Sequence, residues 1–325
     1  MPRRRAAAAA GGRRLLRPRN VGMRPTGSVF TLVPRRRLIG LSFGGMHSAR
    51  RGRGSDVAGS RAYRPGDDVH AIDWPASARL SSARATDEFI VRESYAEEAP
   101  RVVVVIDHRP TMALFRPPLP WLSKPAAMSL AAHLVLDSAI ASRGYLGYLD
   151  FAERDPRWSP PRSQRDLPEL RDERPFTAPD DVIERAFSYL AIHRRALPAG
   201  SFVFVFSDFL VSPHDRVWID ALEHRWDVVP VVIQDPVWEQ SFPDVSGIVV
   251  PLADPATGKV SYVRLSRREV EQRRDANERR LESLLRTFDA LDLQPVVISS
   301  ADAVDVLGAF LAWSEWRQAL KGRPW

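Results

Sequence analysis

Short apolar runs alternate with segments of helical spacing over residues 101–320. Residues 102–106 and 202–206 are continuously apolar, which is typical of parallel strands covered on both faces. Residues 125–143 have the apolar periodicity of a helix, with Pro125 in its first turn. This alternation predicts an α/β fold with a doubly wound, mainly parallel sheet of the Rossmann-like kind.

Three more strands and four more helices complete the predicted alternation. The strands are predicted at residues 145–151, 228–233 and 295–299, and the helices at residues 181–197, 212–225, 266–291 and 303–320. Residues 247–252 and 260–265 predict a hairpin. Ser266 and Glu269 match a capping box at the start of the long charged helix. Residues 152–179 are rich in proline and arginine and predict a long loop.

The chain before residue 99 has a different pattern. Residues 28–41 and 87–95 alternate like short strands, which predicts a small β-rich subdomain. The first residues are a low-complexity, Arg/Ala-rich stretch, which predicts a disordered tail. The expected organisation is therefore a tail at 1–27, a β-rich subdomain at 28–98 and the α/β domain at 99–325.

Charge is distributed unevenly along the chain. The whole chain carries a net charge of +7, but residues 1–54 hold 14 arginines and no acidic residue. From Ser55 onward, 33 basic residues face 40 acidic ones, so the remainder carries a net charge of −7. Three interpretations of the basic start stay open: an organelle transit peptide, an arm for anionic surfaces, and a true start at Met23.

Composition excludes several classes of protein. The chain has no cysteine, which excludes a disulfide framework, a thiolate metal site and a cysteine nucleophile. No stretch reaches the roughly 18 consecutive apolar residues that a membrane-spanning helix needs. We therefore expect a soluble, cytoplasmic protein.

Residues 63–79 form the most distinctive stretch of the chain. A Pro-Gly pair near its start predicts a type II turn. After the turn, period-two alternation predicts that Ile72 and Trp74 share one face of an extended segment, with Trp74 buried. Asp73 then projects from the opposite face, close enough to Arg79 for an ion pair.

This stretch resembles the signature of a bacterial family called "domain of unknown function 58". The resemblance implies a von Willebrand factor A-like domain after the motif, which agrees with the strand and helix alternation. The matching residues are Tyr63, Gly66, Asp67, Asp68, Ile72, Asp73, Trp74, Ser77, Ala78 and Arg79.

Von Willebrand A domains carry a metal-ion-dependent adhesion site, so the resemblance also implies candidate ligands. Asp107 follows the first strand and matches the first position of the site, while Asp208 matches its last aspartate. Thr111 and Thr177 match the hydroxyl ligands. Such oxygen ligands suit Mg²⁺.

Arg109 stands where the first serine of that site belongs. A guanidinium cannot ligate a cation. We therefore expect Arg109 to bridge Asp107 and Asp208 in place of a metal, with Mg²⁺ binding as the alternative. The same strand end resembles that of a haloacid-dehalogenase-type phosphatase with Asp107 as nucleophile, but Arg109 replaces the general acid.

The expected function is a non-catalytic interaction module. The resemblance implies a MoxR-type AAA+ ATPase as partner, in a chaperone-like system with an unidentified client protein. The rival interpretation is a nucleic-acid or anionic-surface binder that acts through the arginine-rich start. A metal-dependent, phosphatase-like hydrolase is the third alternative.

Overall fold

The computed structural model describes residues 28–35, 46–63, 72–84, 89–115, 121–153, 155–163, 170 and 174–321. The predicted tail at residues 1–27 and the predicted Pro-Gly turn lie outside the described residues. So do Gly66, Asp67 and Asp68 of the family motif.

The described residues before β3 contain two paired strands and one helix. Strand β1 (Met46–Ala62) pairs with β2 (Ile90–Glu98) in antiparallel register. Helix α1 (Trp74–Arg84) lies between them in the chain. Ile72 joins β2 through an isolated bridge to Val91.

The sequence predicts an extended segment around Trp74, but the structure has helix α1 there. The Asp73 carboxylate accepts a hydrogen bond from the backbone N–H of Ala76 at 3.1 Å, and Pro75 lies in the first turn. Both features favour a helix start. The Trp74 side chain is 57% exposed and meets Phe89 edge to face, so the expectation of a buried tryptophan is wrong.

The remaining elements confirm the predicted alternation of strands and helices. None of the helices in the described ranges combines the length and apolar character needed to cross a membrane. These elements are β3 (Arg101–Ile106), α2 (Lys124–Ala141), β4 (Tyr145–Asp150), β5 (Arg157–Ser163), α3 (Val182–Ile192), β6 (Phe202–Ser207), α4 (Asp215–Glu223), β7 (Asp227–Ile233), β8 (Val249–Ala253), β9 (Val260–Arg264), α5 (Arg267–Ala290), β10 (Val296–Ile298) and α6 (Ala303–Lys321).

Six strands form one sheet in the order β10-β7-β6-β3-β4-β5. All neighbours are parallel except β4 and β5. The chain starts this sheet at β3, adds β4 and β5 on one side, and then adds β6, β7 and β10 on the other. The direction of addition therefore reverses between β3 and β6, which is the topological switch point of a doubly wound sheet.

Side chains of the central strands alternate between two buried layers. Val102 and Val104 of β3 join a cluster with α2 and α6, whereas Val103 and Val105 join a second cluster with α3, α4 and α5. Strands covered on both faces need apolar side chains at every position. This requirement explains the continuous apolar runs in the sequence.

Residues 28–35 have no regular secondary structure and pack against the α/β domain. Phe30 stacks on Phe310 of α6 with ring centroids 4.7 Å apart, and its N–H donates to Ser138 of α2 at 3.0 Å. The strand predicted over these residues is wrong. The segment also contributes to the core of the α/β domain rather than to the β-rich subdomain to which the sequence assigned it.

Strand β5 lies where the sequence predicts a loop. It contains Pro160 and Pro161, which lack the N–H group that a strand uses for pairing. Proline is tolerated on edge strands. Strand β5 is such an edge, because among the described strands β4 is its one neighbour in the sheet.

The chain between β7 and α5, here called the excursion (residues 234–266), carries the predicted hairpin. Strands β8 and β9 pair antiparallel. Phe242, Leu265 and Val270 form a small separate core at its base. Ser266 and Glu269 make the predicted capping box at the start of α5.

Candidate functional site

Two buried aspartates lie at the switch point of the sheet. Asp107 directly follows β3 and Asp208 directly follows β6, and their exposed fractions are 2% and 0%. The parallel register pairs Ile106 with Phe206, so both strands end at the same level. In open α/β sheets, ligands bind at this edge. We call these residues and their ion-pair partners the switch-point cluster.

Arg109 lies between the two aspartates, in the position expected from the sequence. Its Nε donates to Asp107 Oδ2 at 2.8 Å, and its Nη2 lies 3.7 Å from Asp208 Oδ1. Its Nη1 and Nη2 also donate to the Val211 carbonyl and the Ser207 hydroxyl. Burial acts to lower the pKa of the Arg109 guanidinium, but Asp107, and then Asp208 and Asp180, raise it, so that the net pKa lies above its ordinary value.

Lys124 and Glu239 complete the cluster, and sequence reasoning missed both. The Lys124 side chain is fully buried, and its Nζ lies 2.9 Å from Asp208 Oδ2 and 2.5 Å from Glu239 Oε1. Burial raises the pKa of the Glu239 carboxyl, and Lys124 only partly reverses this rise. Burial also acts to raise the pKa of Asp208, but Lys124 and then Arg109 bring it below its ordinary value.

Every carboxylate oxygen of the cluster has a partner within the protein. Asp107 Oδ1 accepts from the Arg109 N–H, and its Oδ2 accepts from Arg109 Nε and the Ser207 hydroxyl. Asp208 Oδ1 accepts from the Leu210 N–H at 3.1 Å. Glu239 Oε2 accepts from the backbone N–H of Asp235 at 2.8 Å. Buried charges are tolerated when they are paired and hydrogen-bonded in this way.

The two threonines predicted as ligands lie on a short 3₁₀ helix and on the segment before α3. Thr111 lies half-buried in a short 3₁₀ helix, Pro110–Ala113. The Thr177 hydroxyl donates to the carbonyl of Ala152 at 2.7 Å. The segment after Thr177 does reach the strand end, because Ala178 N–H donates to the His108 carbonyl. The structure therefore brings the two aspartates and Arg109 together, while Thr177 bonds elsewhere.

The switch-point cluster does not fit the divalent cation that the family resemblance implies. A guanidinium and an ammonium lie against the carboxylates that such an ion would need, and both groups repel cations. Within the described ranges, no group of three or more His, Asp or Glu side chains is arranged to hold a metal ion.

A second buried polar group lies beside the cluster. His108 is 4% exposed, its ring contacts Phe176, and burial is the main cause that lowers its pKa. The Asp150 carboxylate accepts from the Tyr148 hydroxyl at 2.6 Å and pairs with Arg174. Burial acts to raise the pKa of Asp150, but these hydrogen bonds keep it below its ordinary value.

The described residues of the 63–79 motif make structural contacts. Ser77 is buried at 3%, donates to the Asp73 carbonyl and accepts from the Ile90 N–H, so it ties α1 to β2. The Tyr63 N–H donates to the Phe89 carbonyl at 2.8 Å. Arg79 is exposed on α1, and its predicted pairing with Asp73 stays a prediction.

Comparisons with known proteins give a family but no characterised relative. No curated protein matches the chain. Among solved structures, the chain is similar to the crystal structure of conserved hypothetical protein BatB from Bacteroides thetaiotaomicron. The identity is 14%, the match covers 68% of this chain and 99% of that chain, and the TM-score is 0.38. The family described as "Protein of unknown function DUF58" matches residues 59–283, and the chain belongs to that family.

Proposed function

We propose that this protein is a non-catalytic interaction module, an adaptor or co-chaperone that works with a MoxR-type AAA+ ATPase. The observation that supports this proposal is that the charged groups of the switch-point cluster are paired with one another inside the protein. Arg109 and Lys124 neutralise Asp107 and Asp208 inside the protein. The edge where ligands bind in this fold thus offers a rigid surface instead of reactive groups.

The same contacts argue against hydrolysis. A catalytic carboxylate has to attack the substrate or exchange a proton with it. Asp107, the nucleophile of the phosphatase alternative, already accepts three hydrogen bonds, two from Arg109 and one from Ser207. Arg109, at the position of the general acid, is itself held by ion pairs. These contacts support an interaction surface over a phosphatase centre at this edge.

Exposed apolar side chains flank the cluster at the carboxyl edge of the sheet. Val211 follows β6 and is 50% exposed, and Val237 follows β7 and is 42% exposed. The Val211 carbonyl accepts from Arg109, so the cluster fixes the backbone of this surface. The resemblance of the 63–79 motif implies the von Willebrand A-like character of the domain and the ATPase partner. We propose this edge as the docking face.

A pull-down with a purified MoxR-type ATPase tests the proposal. We expect association in at least one nucleotide state. The replacements Val211→Asp and Val237→Asp should abolish it, because charges would then have to be desolvated at the interface. Ile192→Asp is the matched control, since Ile192 is 78% exposed at the end of α3, at the opposite edge of the sheet. No association in any nucleotide state would count against the partnership.

The rival function rests on one observation, the 14 arginines and absent acidic residues of positions 1–54. Lys and Arg side chains that neutralise phosphates give nucleic-acid affinity that falls steeply with salt. The acidic remainder of the chain opposes such binding. We therefore keep the interaction module as the proposed function.

A further inference from the structure

We infer that Lys124 is the resident cation of the switch-point cluster: its ammonium group holds the place and the charge that a divalent ion holds in a metal-bearing site. This inference concerns a residue that neither the family resemblance nor the sequence pattern singles out. It is independent of the proposed partner.

The position of the ammonium group is the first argument. Lys124 Nζ lies 2.9 Å from Asp208 Oδ2 and 2.5 Å from Glu239 Oε1, so it bridges two carboxylates from different parts of the chain. Asp208 follows β6, whereas Glu239 belongs to the excursion. Ca²⁺ binds oxygen at about 2.3–2.6 Å and Mg²⁺ at about 2.0–2.1 Å. The ammonium nitrogen lies between the two oxygens as such an ion would, at a hydrogen-bonding distance from Asp208 rather than a metal–oxygen distance.

The charges give the second argument. The cluster contains three carboxylates, Asp107, Asp208 and Glu239, and two cationic side chains. Arg109 is committed to Asp107, with its Nη2 at 2.7 Å from Asp107 Oδ2 and 3.7 Å from Asp208. Lys124 is thus the main counter-charge of Asp208 and Glu239. Without it, two buried carboxylates would face each other, and such a pair attracts a divalent cation.

Burial gives the third argument. The exposed fraction of the Lys124 side chain is 0%. A lysine buried this fully leaves, when truncated to alanine, a volume about four side-chain atoms long between two acids. Water and a cation can enter a polar space of that size. When it is replaced by methionine, the space stays filled with an apolar chain of similar length.

The wild-type protein is tested first. We expect no saturable heat on titration with CaCl₂ or MnCl₂, and a Tm that is the same in 10 mM CaCl₂ and in 5 mM EDTA. Stoichiometric Ca²⁺ binding by the wild-type protein that disappears in Asp208→Asn would overturn the inference, because the ammonium would then not occupy the cation position.

The variants Lys124→Ala and Lys124→Met are then compared. Both remove the positive charge, but only the alanine variant opens space. We expect Lys124→Ala to bind one Ca²⁺ with millimolar affinity and to gain about 5 °C in Tm in 10 mM CaCl₂. Lys124→Met should show neither effect. Equal responses of the two variants would overturn the inference.

The experiment remains decisive if Lys124→Ala does not fold in EDTA. Refolding in 10 mM CaCl₂, and separately in 50 mM ethylammonium chloride, should then recover the native far-UV spectrum. Ethylammonium supplies the missing ammonium group without any demand for metal coordination. If neither cation stabilises or refolds Lys124→Ala, a cation at this position is not what holds the carboxylates, and the inference fails.

Discussion

Asp208 is the carboxylate of the cluster that lies within 4 Å of both cationic side chains. Its carboxylate is fully buried and faces both Lys124 and Arg109. Removing one partner of a buried ion pair leaves an uncompensated buried charge, which costs about 3–5 kcal/mol. We expect Asp208→Asn to lower the free energy of unfolding by that amount in urea titrations.

Asp181→Asn is the control for this replacement. Asp181 pairs with Arg185 at 2.8 Å, but both side chains are about half exposed. Exposed pairs of this type contribute between zero and about 1 kcal/mol. A loss in Asp208→Asn as small as the loss in Asp181→Asn would show that the buried cluster is not a source of stability.

His108 predicts a pH dependence of stability. Its pKa in the folded protein lies below the ordinary value of 6.5, mainly because the ring is buried. Below pH 6.5 the unfolded chain therefore binds a proton that the folded protein does not. Stability is complete above that pH and falls as the pH drops, with a slope of up to about 1.4 kcal/mol per pH unit.

The variant His108→Gln isolates this contribution. Urea unfolding between pH 7 and pH 5 should show a weaker loss of stability in the variant than in the wild-type protein. The comparison is needed because Glu239 acts in the opposite sense: its raised pKa favours the folded state at low pH. Parallel curves for the two proteins would rule out His108 as the titrating group.

Part of the cluster could be read from the sequence and part could not. Asp107, Arg109 and Asp208 follow predicted strands, and the carboxyl ends of neighbouring parallel strands meet at one edge. Lys124 gave only a weak signal, as a charge at the start of a mainly apolar helix. Glu239 gave none, because nothing in the sequence places an irregular excursion over a particular strand end.

Among the larger elements, residues 28–35 show how packing overrides local pattern. Their alternation predicted a strand, but Phe30 fills a site against Phe310 and Trp313 at 4.7 and 5.7 Å. The Arg317 side chain on α6 donates to the Val33 carbonyl. The alternation thus arises because one face of the segment packs against the helices. An irregular segment can present such a face as well as a strand can.

Phe30→Ala tests the contribution of this segment. Phe30 is 3% exposed, and truncating a buried phenylalanine costs about 3–5 kcal/mol through lost burial and the cavity left behind. Val29→Ala is the matched control in the same segment, because Val29 is 42% exposed. Thermal unfolding followed by circular dichroism should show a large fall in Tm for the first variant only. Similar Tm values for both would mean that the segment is not part of the core.

Elements of the α/β domain were predicted more accurately than those before it. Apolar runs and caps located the strands and helices of the sheet, and the capping box at Ser266 was recovered. Strand β5 was missed because Pro160 and Pro161 usually mark loops. Helix α1 was missed because the Ile-Asp-Trp sequence alternates like a strand, while Asp73 and Pro75 start a helix.

At the scale of the whole molecule, the uneven distribution of charge allows the two candidate functions to be distinguished by experiment. A chain that begins at Ser28 lacks eight of the 14 arginines of positions 1–54. We expect it to keep association with the ATPase and to lose most of any DNA affinity, together with the steep salt dependence of that affinity. Fluorescence anisotropy with a labelled duplex at 50 and 200 mM salt measures the second effect. Loss of ATPase association on this truncation would favour the arginine-rich start as the functional part.

The two edges of the six-stranded sheet restrict how another protein can bind. A partner that adds a strand needs a row of free N–H and C=O groups along an edge. Strand β5 carries Pro160 and Pro161, and β10 at the other edge is only three residues long. The prolines therefore block strand addition at β5. Strand β10 is too short to hold an added strand at the other edge. A partner that binds this six-stranded sheet is therefore expected to contact side chains on its helices and connections, where single replacements can change the specificity of binding.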